Sequence, residues 1–80
     1  VSSRLNVVGL RADDALAKIE PFLNRAMLGG LNEVTVIHGI GKGALFMVIR
    51  DYLQDHPLVK TFRPGSPPEG GEGVTVVKLV

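Results

Sequence analysis

The residues best able to do chemistry lie in one run, VTVIHGIGKGALFMVIRDYL, at positions 34–53. His38 precedes glycines at alternate positions, Gly39, Gly41 and Gly43, and Lys42 stands between the last two. An imidazole with an ordinary pKa of about 6.5 can take or give a proton near neutral pH. Glycines add conformational entropy that folding must overcome, and a plain turn rarely needs three. They do let a ligand approach the backbone closely. If a helix begins just after them, its free N–H groups and positive dipole end face the same spot. That chemistry suits an oxyanion such as phosphate, with Lys42 adding a point charge. The competing reading is a tight strand-to-helix turn, with Lys42 in solvent and His38 capping the turn through a backbone hydrogen bond.

Two nucleotide motifs are excluded. A P-loop needs a glycine five residues before the Gly-Lys pair and Ser or Thr after it, but position 36 is Val and position 43 is Gly. Gly39-x-Gly41-x-x-Ala44 fits only the permissive dinucleotide pattern, and no acidic residue ends the next strand to take a ribose hydroxyl. No nucleotide cofactor is therefore expected. Glu69 and Glu72 offer the oxygen ligands that Mg²⁺ or Mn²⁺ take, although a pair in a Pro/Gly stretch also reads as solvated. No compact carboxylate cluster exists for a two-metal nuclease. Asp13 and Asp14 read as helix-start residues, and His56, before Pro57, as structural.

The elements that must position these groups are legible. RLNVV (4–8) alternates as a strand does, and Gly9 ends it. Ala15, Leu16, Ile19, Phe22, Leu23, Ala26 and Met27 recur at helical spacing over 11–28, before Gly29-Gly30. Pro21 predicts a kink within that helix rather than two helices. EVTVIH (33–38) is a second strand. A second helix over 43–55 places Leu45, Val48, Ile49, Tyr52 and Leu53 inward, which leaves Phe46 and Met47 as candidates for exposure. LVKTFR (58–63) is a third strand, residues 64–73 a mobile Pro/Gly loop, and VTVVKLV (74–80) the last strand. The expected fold is α/β, a two-layer β-α-β-α-β-β sandwich. Right-handed crossovers make the first three strands parallel, the fourth returns antiparallel, and both helices cover one face of the mixed four-stranded sheet.

In such a sheet the loops after parallel strands share one edge, where ligands usually bind. Arg11, His38, the glycines, Lys42 and Arg63 gather there, with Arg50 two turns into the second helix and Arg4 a weaker candidate. A basic edge can therefore exist on a chain with nine Lys/Arg, eight Asp/Glu and a formal net charge of +1. Bulk charge alone does not hold this protein to nucleic acid. Eighty residues make one domain. The absence of cysteine excludes disulfides and thiolate metal sites. No apolar run is long enough to span a bilayer. The start without methionine suggests a domain cut from a longer protein or a processed chain.

IHGIGKGAL, then IRDYL, HPLVK and EGGEGVTVVKL, with LNVVGLRADDAL at the start, together resemble the Smr (small MutS-related) domain over nearly the whole chain. The resemblance is nearest to the form at the end of a bacterial MutS paralogue. It implies one domain over 1–80, C-terminal in a longer cytoplasmic, bacterial protein with an ATPase domain, working in DNA recombination or repair. It also implies a nucleic-acid role, DNA nicking among its forms, and the motif residues His38, Gly39, Gly41 and Gly43 match, as does Arg50. Taken with the basic edge, the expected nucleic-acid contacts are Gly39, Gly41, Lys42, Gly43, Arg11, Arg50 and, on placement alone, Arg63, and the expected phosphodiester hydrolysis uses His38 as acid or base. The alternatives are a non-catalytic DNA-, RNA- or ribosome-binding module, and a protein-docking domain that uses Phe46 and Met47. The chain departs from the family pattern at Ile40, where lysine is usual, at Asn6, often aspartate, at Val8, often His or Arg, and at Phe46, often arginine. Asn6 and Val8 remove two polar groups often assigned to cleavage.

Overall fold

The structure is a computed structural model that describes residues 3–40 and 44–80. Strands β1 (Arg4–Asn6), β2 (Glu33–Ile37), β3 (Val59–Pro64) and β4 (Val74–Leu79) alternate with helices α1 (Ala12–Leu28) and α2 (Ala44–Gln54) in the expected order. Across the sheet the order is β1-β2-β4-β3. β1 pairs parallel to β2, and β4 pairs antiparallel to both β2 and β3. The first three strands thus point one way. The third does not pair with the second, because β4 is inserted between them.

Register sorts the side chains onto two faces. Leu5, Val36 and Thr75 share one face across β1, β2 and β4, as do Val34, Val77 and Phe62 across β2, β4 and β3. Both helices pack on this face. Ala15, Ile19, Phe22, Leu23 and Ala26 of α1 and Ile49 and Leu53 of α2 form one buried cluster with Val34, Val36, Val77 and Leu79. Arg4, Asn6, Thr35, Ile37, Val76 and Arg63 lie on the opposite face.

Asp13 and Asp14 sit in the first turn of α1, where carboxylates favour the dipole. The helix runs through Pro21 as one piece. It ends in a Schellman arrangement, with Leu31 N–H donating to Ala26 O at 3.0 Å and Gly30 N–H to Met27 O at 3.1 Å. Gly30 has φ 80°, the left-handed conformation this ending requires.

Residues 64–73 correct the expectation of a mobile loop. They form two 3-10 turns, Pro67–Glu69 and Gly71–Gly73. Ser66 and Glu69 close a capping box around the first turn. The segment packs against Val74 so closely that a Cβ on Gly65 would lie 2.3 Å from its Cγ2.

Candidate functional site

His38 is the first residue beyond β2. Its N–H and that of Gly39 both donate to Gly73 O, at 3.0 and 2.9 Å, so the end of β2 is tied to the turn before β4. The ring is 5% exposed. Its Nδ1 lies 2.8 Å from Gly39 O, and its Nε2 lies 2.8 Å from Thr75 Oγ1. A carbonyl only accepts, so Nδ1 carries the proton; with Nδ1–H donating to Gly39 O, Nε2 accepts a hydrogen bond from the Thr75 hydroxyl. The Phe46 ring of α2 tilts 46° against it, with centroids 5.4 Å apart. Both ring nitrogens are thus engaged, and an acid–base role requires Nε2 to exchange Thr75 for water or substrate.

Gly39 has φ 77°, and the side chain nearest its missing Cβ is Val8. Val8 is half exposed, and its N–H donates to Asn6 Oδ1 at 2.9 Å. The amide of Asn6 therefore shapes the β1–α1 turn. Beside these residues the edge opens into a concavity of about 330 Å³ lined by Ile40, Phe46, Pro64 and Glu72.

The predicted cations separate into two groups. Arg11 stands at the N-cap of α1 and is exposed, with only a 4.0 Å approach to Asp13. Arg50 is exposed on α2. Arg63 instead grips Glu69 in a fork, Nη1 to Oε1 at 2.8 Å and Nη2 to Oε2 at 3.0 Å. This bond, and Ser66 N–H and Oγ–H donating to Oε1, hold the Glu69 carboxyl at about 2, well below its usual range. The same bond raises the Arg63 pKa. Arg63 is thus held by the 64–73 segment. The Glu69 carboxylate is thus already engaged by Arg63 and Ser66. Among the described residues, no three His, Cys, Asp or Glu side chains converge as a metal ion needs. Gly41, Lys42 and Gly43 lie outside the described residues.

Two partnerships were not visible in the sequence. Thr75 meets His38 across the sheet. On the far side of the molecule, Glu20 Oε2 accepts from His56 Nε2–H at 2.7 Å and from the Tyr52 hydroxyl, while His56 Nδ1 accepts Leu58 N–H at 3.1 Å. His56 therefore clamps α1 to the end of α2, a structural role.

No helix among the described residues is long and apolar enough to cross a membrane. Residues 5–80 match the model of the Smr domain. The chain is 46% identical over 79 residues to a protein named Endonuclease MutS2 from Caldicellulosiruptor saccharolyticus, and 47% identical over 79 residues to the protein of that name from Caldanaerobacter subterraneus subsp. tengcongensis. In each case the match covers 99% of this chain and 10% of the relative, so the chain spans about a tenth of their length. The fold superposes on the crystal structure of the Smr domain of Thermus thermophilus MutS2 with TM-score 0.94 and 38% identity, covering 100% of this chain and 99% of that one. YdaL, a stand-alone small MutS-related protein from Escherichia coli, matches with TM-score 0.83 and 25% identity over 96% of this chain and 63% of its own. On sequence and architecture together, this chain belongs to the Smr domain family.

Proposed function

We propose that this domain binds DNA at the edge where β1, β2 and β3 end, and nicks it there as part of a larger protein of DNA recombination or repair. The observation that carries the reading is His38, fixed at that edge by Gly73, Gly39 and Thr75. Arg11 and Arg50 are exposed cations suited to phosphate. Hydrolysis needs an activated nucleophile and protonation of the leaving oxygen. Among the described residues, His38 supplies the imidazole at this edge that can pass a proton, through Nε2 once Thr75 turns away, while the Nδ1–H bond to Gly39 keeps the ring oriented. The relatives named endonucleases support the nuclease assignment.

A second reading, DNA, RNA or ribosome binding without cleavage, is favoured by the engagement of both His38 nitrogens and by Asn6 serving the β1–α1 turn. Conversion of supercoiled plasmid to open circles, with Mg²⁺, Mn²⁺ or chelator, separates the two. Nicking by the wild type, its loss in His38→Ala and a shifted pH profile in Thr75→Val are the expected results. Retention of DNA at low salt by both wild type and His38→Ala, with no nicking by either, establishes the binding module instead.

A further inference from the structure

The concavity beside His38 has a chemistry of its own. Ile40, Phe46 and Pro64 give it apolar walls, and Glu72 supplies a carboxylate. Its volume of about 330 Å³ lies at the small end of the range for ligand clefts, roughly 300–1,000 Å³. Among the described residues the hollow's lining carries no cation, and a carboxylate repels phosphate. Its walls are prepared for a flat, uncharged ring. The buried His38 ring lies tilted against Phe46, and Ile40 is 68% exposed. Arg50 follows Phe46 at i+4, the neighbouring position on the same side of α2, and is exposed. The edge thus carries an aromatic ring, an aliphatic side chain and an acceptor for N–H groups, with an exposed cation about one helical turn along α2 from Phe46.

We propose that this cleft takes one unpaired nucleobase from the bound strand. The base stacks on Phe46 against Ile40, Glu72 accepts from its exocyclic amine, and the adjoining phosphate meets Arg50. The domain then prefers strands with unpaired bases to continuous duplex, and cytosine to thymine, since thymine carries O4 where cytosine has an N4 amine. The proposal rests on the DNA-binding half of the function above and not on cleavage.

The chain has no tryptophan, so Phe46→Trp installs a single fluorescent reporter in the cleft. It is titrated with a cytosine oligonucleotide of about ten nucleotides, within the site sizes common for single-strand binders, and with an abasic strand of equal length and charge. The cytosine strand is expected to quench the indole and to bind roughly tenfold more tightly than the abasic strand, the size of one base stack. In the Phe46-containing protein, Ile40→Ala, at an exposed position, is expected to erase most of that difference without changing abasic affinity. Glu72→Gln is expected to erase the preference for cytosine over thymine strands. Equal, unquenched binding of both strands overturns the pocket and leaves DNA binding intact. No binding of either strand or of duplex overturns the DNA-binding reading, and the pocket falls with it.

Discussion

At Gly39 the backbone takes φ 77° while the position of a Cβ is only 3.6 and 3.7 Å from the methyls of Val8, ordinary contact distances. Conformation, not space, therefore selects glycine here. Gly39→Ala should cost about 1–2 kcal/mol in chemical denaturation, and Gly39→Asn less, because asparagine tolerates the left-handed region. At this scale much of the site was readable. His38-Gly39 marked the end of β2, and the strand before it placed His38 at a sheet edge. The partner of its ring was not readable. Thr75 is an unremarkable strand residue in sequence, and only the register of β2 against β4 brings it opposite Val36 and within reach of Nε2. Arg63 failed as a free cation for a similar reason, since its pairing with Glu69 depends on how the chain returns after β3.

Among the elements, helices and strands lay within a residue or two of their expected bounds, because periodicity and glycine or proline punctuation coincide there. Residues 64–73 departed from expectation. Their three prolines and four glycines read as a loop, yet Ser66-Pro67-Pro68-Glu69 also spells a capping box, and that local pattern prevails. The Glu69 carboxyl, lowered from 4.5 to about 2, gives this segment a pH signature. The folded state binds its proton less readily than the unfolded chain, so the stabilisation is complete above about pH 4.5 and is lost as the pH falls toward 2. Unfolding followed across that window should show an acid-dependent decline in the wild type that is reduced in Glu69→Gln.

For the molecule as a whole, net charge +1 and the small number of exposed cations at the edge among the described residues limit how many phosphates can be neutralised. With Arg11, Arg50 and Lys42 as contacts, the logarithm of duplex affinity should fall against log salt with a slope of about −3 or shallower, at roughly 0.9 per phosphate. A slope several units steeper would show that other cations take part. The overall architecture was legible from the β-α-β-α-β-β order, since parallel crossovers and two amphipathic helices leave few arrangements. The lateral order of the strands was not, because local pattern does not say which neighbour the last strand will choose.

That choice bears on how the molecule is made. β4 is the last element along the chain and yet the inner strand that joins β2 to β3. During synthesis, β1, both helices and β3 leave the ribosome while the central slot is empty, with the edges of β2 and β3 both unpaired. Every pairing that joins the two halves of the sheet is long-range, as Val34 with Val77 illustrates. Folding of the domain must therefore wait for β4. A nascent chain halted before β4 is an aggregation hazard rather than a partly working domain.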